Sequence, residues 1–173
     1  MRRAPDGAVL RRGLAMARRR RHVSLDDADR FVRALRGGRR GSAVRAVLDG
    51  SLVFLTLRRR GLRPLLQSVA VGQRTAVRDA ATAAAVSEAV DAGLGVLPVR
   101  STCLRRSVTL LRELRRLEQA ATLHIGVRNR NGAMEAHAWV QVGDVVVNDD
   151  ASLVQTYVQL SAGDAERLLP TLT

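Results

Sequence analysis

The chain has 173 residues, of which 46% are hydrophobic and only 2% aromatic, and its formal net charge is +13. This length fits one domain with a helical extension, whose core has to be built from leucine, valine and alanine. No stretch of 18 apolar residues is present, so we predict no membrane span. The basic N-terminus lacks the apolar segment of a signal peptide. We therefore expect a cytoplasmic protein that does not bind membranes.

The positive charge is concentrated in the first third of the chain. Residues 1–65 carry 18 arginines against 5 acidic residues, whereas the rest of the chain is neutral. Residues 1–22 are predicted to form a basic, mobile arm. Nucleic-acid binding is the less favoured interpretation, because no aromatic side chains lie nearby to stack on bases. The positive field of this region suits an acidic partner.

Residues 23–92 predict a helical region. Ser24 is a typical helix N-cap because Asp26 and Asp27 follow it in the first turn, and the Gly37-Gly38 pair predicts the end of that helix. A second helix is predicted from Ser42 to about Arg60.

The apolar pattern of this second helix predicts that Val44, Val47 and Leu48 are buried. Pro64 is predicted to open a further helix. The alanine-rich residues 75–92 predict another, for which Gly93 is a natural end.

Residues 93–173 are typical of an α+β unit. A helix is predicted from Cys103 to about Gln119, capped by Ser101 or Thr102. Three antiparallel strands and a short C-terminal helix that starts at Ser161 or Asp164 are predicted to follow. The strands are predicted over residues 122–128, 136–142 and 145–148, with an Asn131-Gly132 turn between the first two.

Cys103 is the only cysteine, which excludes an intramolecular disulfide and a cysteine-rich zinc site. It is either a buried filler or a reactive thiol. Its predicted position at a helix N-terminus favours the reactive thiol, because the helix dipole and the free N–H groups stabilise a thiolate. The same N–H groups can hold an oxyanion. The three histidines are too scattered to predict a metal site, and we expect no cofactor.

His137 lies on a predicted strand between two alanines, and Trp139 shares its face two residues later. Contact with a histidine is the usual way to activate a thiol. We therefore predict His137 as the general base and Trp139 as a wall that keeps water out of the pocket. His124 competes for the role of the base. No carboxylate follows it at a useful spacing, so we interpret it as structural.

A third group has to orient the imidazole, and Asp149 and Asp150 are the candidates. A two-residue turn at Gly143-Asp144 would place Asp150 opposite His137, on its face of the sheet. A longer turn or a bulge would favour Asp149 instead. Periodicity alone leaves both residues open, with a slight preference for Asp150.

Four sequence blocks stand in a specific order within residues 93–150. They are Ser101-Thr102-Cys103-Leu104, Leu123-His124-Ile125-Gly126-Val127, His137-Ala138-Trp139-Val140 and Val146-Val147-Asn148-Asp149-Asp150. Together they resemble the lasso-peptide leader peptidases, the short B2 form of the B proteins of lasso biosynthesis. The resemblance implies a transglutaminase-like or papain-like core, with Cys103 as the nucleophile, His137 as the base and Asp149 as the acid.

The function that this resemblance implies is removal of the leader from a ribosomally synthesised precursor peptide. An ATP-dependent macrolactam synthetase then joins the new amine to an acidic side chain. The implied partners are the precursor, a separate leader-recognition protein (B1 type) and the synthetase. The basic first third of the chain has a candidate use in docking an acidic leader or partner. Two alternatives stay open: an acyl transferase on the same core, and a basic binding protein without enzymatic activity.

Overall fold

The structure is a computed structural model that describes residues 23–61, Pro64 and residues 79–161. The predicted arm over residues 1–22, the helix predicted beyond Pro64 and the predicted C-terminal helix lie outside these residues. No helix in the described part of the chain is long and apolar enough to cross a membrane. The elements are α1 (Leu25–Arg36), α2 (Arg40–Arg60), α3 (Ala80–Gly95), α4 (Cys103–Arg116), β1 (Ala121–Arg130), β2 (Ala133–Val142), β3 (Val145–Val146), α5 (Ala151–Val154) and β4 (Val158–Gln159).

The predicted α+β fold is confirmed. Among the described residues, helices α1 to α3 come first, and α4 then packs on a four-stranded sheet with the strand order β3-β2-β1-β4. Each neighbouring pair of strands is antiparallel. The helix that begins with Cys103 therefore lies on a small antiparallel sheet, as predicted.

The start of α1 shows how closely local sequence controls a helix end. The hydroxyl of Ser24 accepts a hydrogen bond from the backbone N–H of Asp27 at 3.1 Å, and Asp27 accepts one from the N–H of Ser24 at 3.2 Å. This reciprocal capping box satisfies two N–H groups that the helix itself leaves without partners. The helix ends at Arg36, directly before the Gly37-Gly38 pair, as predicted.

Helices α2 and α3 approach so closely that the burial expected for α2 is reversed. A Cβ atom on Gly93 would lie 2.3 Å from the carbonyl oxygen of Ala43, so only glycine fits at this crossing. Small residues such as Ala43 therefore face α3, whereas Val44 and Leu48 are 45% and 61% exposed. The prediction that both are buried was wrong. Gly93 is a contact residue inside α3, which continues to Gly95.

One hydrophobic core joins the helices to the sheet. It holds α4 between α3 and the sheet, and thereby sets where the first residue of α4 lies relative to β2. The domain boundary predicted at residue 93 stays a prediction. The buried core side chains include Val53, Val86, Leu94, Leu110, Leu111, Leu114, Val140 and Val142.

The hairpin of β1 and β2 turns at Asn131-Gly132, as predicted. Both residues have positive φ angles, 53° and 82°, which the favoured two-residue hairpin turn requires. The resulting register pairs Gly126 with His137 and His124 with Trp139. These four residues therefore share one face of the sheet.

Candidate active site

Cys103 is the first residue of α4, and Thr102 is its N-cap. The Thr102 hydroxyl accepts from the N–H of Arg105 at 3.2 Å, and its carbonyl accepts from the N–H of Arg106 at 3.0 Å. The N–H groups of Cys103 and Leu104 have no acceptor within the helix, because the helix starts at that point. The partly exposed thiol thus lies at the positive end of the helix dipole, where a thiolate is stabilised.

A cleft of about 390 Å³ opens at the start of α4. Cys103, His137 and Asp149 all line it. Its sheet wall, which includes Ala138 and Asn148, carries the histidine and the aspartate. Its helix wall comes from α1, α3 and α4. The structure therefore brings together the three residues that the sequence singled out, although they come from three separate segments.

His137 and Asp149 form a direct pair. The distance between His137 Nε2 and Asp149 Oδ2 is 2.7 Å, and the side chains are only 16% and 17% exposed. The other oxygen of Asp149 accepts from the backbone N–H of Asp150 at 2.9 Å, which fixes the orientation of the carboxylate. A carboxylate can only accept, so Nε2 donates in this pair, and in the neutral form of the imidazole the lone pair then lies on Nδ1.

Asp150 does not pair with His137, contrary to the preference from periodicity. The Gly143-Asp144 turn has two residues, as that argument assumed. However, β3 ends at Val146 and the chain bends over residues 147–149, so the alternation stops before residue 150. Asp150 instead caps α5: its Oδ1 accepts from the N–H of Ser152 at 2.7 Å. Hydrogen bonds from Ser152 lower the pKa of the Asp150 carboxyl.

A buried hydrogen-bond chain lies directly beneath the cleft. Ser107 is one helical turn after Cys103, on the same face of α4. Its hydroxyl donates to the carbonyl of Ala138 at 2.9 Å and accepts from Asn148 Nδ2 at 2.9 Å. Asn148 Oδ1 in turn accepts from the backbone N–H of Val140 at 2.8 Å. Ser107 is 0% and Asn148 4% exposed, so each hydrogen bond replaces one that water would otherwise supply.

These buried hydrogen bonds connect the three segments that carry the site. Ala138 directly follows His137, Asn148 directly precedes Asp149, and Ser107 lies on the helix that starts at Cys103. Sequence reasoning missed both Ser107 and Asn148. A small polar residue on the apolar face of an amphipathic helix was the available signal for Ser107.

Aromatic rings fix the plane of His137. Its ring stacks on Tyr157 with centroids 5.1 Å apart, and on Trp139 with centroids 6.3 Å apart. The Arg128 guanidinium carbon lies 4.4 Å from the centroid of Tyr157, a cation–π geometry. Trp139 is 3% exposed and is not among the residues that line the cleft. It therefore supports the imidazole and does not form the pocket wall that the sequence predicted.

Gly126 leaves the space in which these rings meet. It pairs with His137 in the register of β1 and β2. A Cβ atom at Gly126 would lie 2.8 Å from Tyr157 Cβ and 3.0 Å from the ring of Trp139. Tyr157 reaches this place because β4 pairs with β1 beside Gly126, a strand that the sequence did not predict. A glycine inside a strand was the signal for a close approach of this kind.

His124 takes part in the stack without reaching the cleft. Its ring lies on Trp139 with centroids 5.7 Å apart and an interplanar angle of 14°. Burial lowers the pKa of His124, and a hydrogen bond with Gln159 opposes this effect in part. A neutral, half-buried imidazole against an indole is consistent with the structural interpretation of His124.

The two arginines that follow Cys103 have different environments. Arg106 lines the cleft and binds Asp91 through two hydrogen bonds, one of them 2.5 Å between Nε and Oδ1. Arg105 is 1% exposed, donates to the carbonyl of Val99 at 3.2 Å, and burial lowers its pKa. Of these two arginines, Arg106 is therefore the one that presents its charge to the cleft. Within the described residues, no group of three or more His, Cys, Asp or Glu side chains is placed to hold a metal ion.

Residues 44–162 match the family model described as the transglutaminase-like superfamily. The chain belongs to this superfamily. Its members include cysteine peptidases and acyl transferases. The match begins within α2 and extends past β4, so it covers the thiol, the histidine and the aspartate of the cleft. No curated protein and no solved structure matches the chain.

Proposed function

We propose that this protein is a cysteine peptidase that removes the leader from a ribosomally synthesised lasso precursor peptide. The observation that carries the proposal is the 2.7 Å pair of His137 Nε2 and Asp149 Oδ2 in the cleft that Cys103 also lines. Membership of the transglutaminase-like superfamily supports a cysteine-dependent enzyme. The four sequence blocks support the leader peptidases within it.

The first half-reaction transfers the acyl group to sulfur. His137 Nδ1 takes the thiol proton, and the Cys103 thiolate attacks the scissile carbonyl carbon. The oxygen becomes an oxyanion that the N–H groups of Cys103 and Leu104 can stabilise at the start of α4. The C–N bond then breaks as His137 gives its proton to the leaving amine. The peptide with the new amine departs, and the leader remains as a thioester.

The second half-reaction returns the enzyme. His137 takes a proton from water, and the oxygen attacks the thioester carbonyl. The C–S bond breaks, the leader leaves with a new carboxylate, and the thiolate regains its proton. Asp149 accepts from Nε2–H throughout, so it holds the ring in one orientation and stabilises the imidazolium in both half-reactions.

The proposed partners follow from this role. The precursor peptide is the substrate, and a separate leader-recognition protein delivers it. The amine that leaves as the thioester forms becomes the nucleophile for the macrolactam synthetase. No cofactor is needed for either half-reaction.

The alternative is an acyl transferase, which the superfamily also includes. The same residues would serve, with an amine in place of water in the second half-reaction. The mass of the acyl product separates the two: hydrolysis leaves a carboxylate, whereas transfer leaves an amide of the added amine.

The deciding experiment is a mass-spectrometric cleavage assay with a precursor peptide and a recognition protein taken from the genome that encodes this chain. Wild type, Cys103→Ala and His137→Ala are compared with and without an added primary amine. We expect the free leader from wild type only, and a rate at least about 10³-fold lower in both variants. An amide product would favour the transferase. Cleavage that survives Cys103→Ala would rule out the thiol mechanism.

A further inference from the structure

We propose that the substrate peptide continues from Cys103 into a groove between α1 and α3, where Arg33 and Arg39 bind acidic side chains of the peptide. This inference rests on the proposed peptidase function. It adds the class of peptide that the enzyme selects and the surface that selects it.

The groove is a direct continuation of the cleft at Cys103. It has a volume of about 570 Å³, and Arg30 and Asp91 line both the groove and the cleft. A peptide whose scissile bond lies at Cys103 therefore meets this groove on one side of that bond. A cleft of this size holds only a few residues, so a longer substrate has to continue beyond it.

The floor of the groove is made of small residues. Three alanines of α3 at helical spacing face the end of α1, where two glycines leave the surface open. An extended backbone can lie close to such a floor, because no long side chain projects from it. The small residues are Ala34, Gly37, Gly38, Ala85, Ala89 and Ala92.

The charges around the groove favour acidic side chains. Arg30, Arg33 and Arg39 line it, against Glu88 and Asp91. Asp91 is already bound by Arg106, so the arginines exceed the available carboxylates. Arg33 is exposed and donates to a backbone carbonyl at 3.4 Å, an uncharged acceptor. A peptide carboxylate can therefore form a charge-assisted pair there.

A peptide is a better occupant than a nucleic acid. None of the described residues that line the groove is aromatic, so they offer no surface for base stacking. Its continuity with a thiol cleft also matches a chain that has to reach Cys103 in extended form. The basic character of residues 1–65 thus has a specific location in the fold.

The test uses the fact that the full chain has a single cysteine. Synthetic glycine-serine peptides carry four glutamates, or four glutamines as the neutral match, and a chloroacetamide at either their N-terminal or their C-terminal end. The thiolate of Cys103 displaces chloride and forms a thioether, which intact mass measures. This alkylation needs no peptidase activity. The end that reacts faster shows which way the peptide lies in the groove.

Four proteins are compared: wild type, the groove pair (Arg33→Glu with Arg39→Glu), the α2 pair (Arg58→Glu with Arg60→Glu), and Cys103→Ala as the blank. The second pair makes the same charge change on the exposed end of α2, away from the groove. We expect the glutamate peptide to react about tenfold faster than the glutamine peptide in wild type and in the α2 pair, and at about the same rate in the groove pair. Iodoacetamide, which is too small to use the groove, should alkylate the three thiol proteins equally.

Two results would overturn the proposal. One is a glutamate preference that persists in the groove pair, and the other is no preference in wild type. The outcome is separate from that of the peptidase proposal. A groove-dependent preference without precursor cleavage would leave the peptide groove standing and remove the peptidase function. Precursor cleavage without a groove-dependent preference would leave the peptidase function standing and remove the peptide groove.

Discussion

The two walls of the cleft differ in how firmly they are built. On the sheet wall, His137 and Asp149 are mostly buried, hydrogen-bonded to each other and supported by stacked rings. On the helix wall, Arg30 is exposed, as is Arg33 in the adjoining groove, and both lie beside small residues. Proton transfer requires atoms held to a few tenths of an ångström, whereas an exposed charge can adapt to its ligand. Changes to the sheet wall should therefore lower kcat, and changes to the helix wall should raise KM.

The largest effect on the sheet wall is expected from Asp149→Asn. The variant can no longer hold Nε2–H with a carboxylate or stabilise the imidazolium, so kcat/KM for precursor cleavage should fall by about 10²- to 10⁴-fold. The matched control is Asp150→Asn, which keeps a helix-capping side chain and should stay within about twofold of wild type. The pH profile of Cys103 alkylation by iodoacetamide should change in the first variant only. The opposite ranking would assign the acid to Asp150.

The ring stack should be the next most sensitive feature. In Gly126→Ala the new methyl group would lie 2.8 Å from Tyr157 Cβ, so the stack around His137 has to shift. We expect a loss of about 1–3 kcal/mol in the free energy of unfolding and a kcat about tenfold lower. In the control Gly41→Ala, the added Cβ would lie 3.3 Å from the Arg45 guanidinium, which is paired with Glu113 and has to shift by only a few tenths of an ångström, so the loss of stability should be smaller and kcat unchanged. Urea unfolding and cleavage kinetics measure both. Equal stability of the two variants would mean that the stack is not constrained by Gly126.

The buried hydrogen-bond chain should give a smaller loss. Asn148→Ala removes the acceptor of the Val140 N–H and the donor to the Ser107 hydroxyl, which keeps only the Ala138 carbonyl, and this costs about 1–3 kcal/mol of stability. Because the buried hydrogen bonds hold the helix and the sheet side of the site together, kcat should fall while KM changes little. Asn129→Ala, at the exposed end of the hairpin, is the control and should cost less than about 1 kcal/mol. A pure KM effect in Asn148→Ala would contradict the positioning role.

The smallest effect should come from a buried ion pair remote from both walls. Burial acts to raise the pKa of Glu113, but hydrogen bonds from Arg45 and Ser42 outweigh it, so the pKa lies below its ordinary value of 4.5. A pKa lowered by folding adds stability above pH 4.5 that is lost as the pH falls below it.

We therefore expect Glu113→Gln to be about 1–2 kcal/mol less stable than wild type near pH 7, and the gap to narrow near about pH 3. Urea unfolding at both pH values measures this gap. The alkylation rate of Cys103 should be unchanged, because Glu113 supports the contact of α4 with α2 and does not reach the cleft. A gap that widens at low pH would contradict the lowered pKa of Glu113.

Local sequence was sufficient for the starts of α1 and α4, the turn between β1 and β2, and the position of the thiol. The capping residues Ser24 and Thr102, the Asn131-Gly132 turn and the apolar face of α4 all act through neighbours within four residues. Such short-range hydrogen bonds depend little on the rest of the fold, so the pattern predicts them directly. The position of Cys103 at a helix N-terminus follows from them.

Tertiary structure decided everything that depends on where separate segments meet. Asp149 is preferred to Asp150 because the chain leaves the sheet after β3, and Val44 is exposed because Gly93 lets α3 approach the small face of α2. Tyr157 reaches His137 only because β4 returns beside Gly126. Side chains brought together from distant segments have no fixed spacing along the chain. The amino-acid sequence by itself therefore determined the thiol, its helix and the strand that carries the histidine, whereas only the packing of α4 on the sheet decided how the site is assembled and supported.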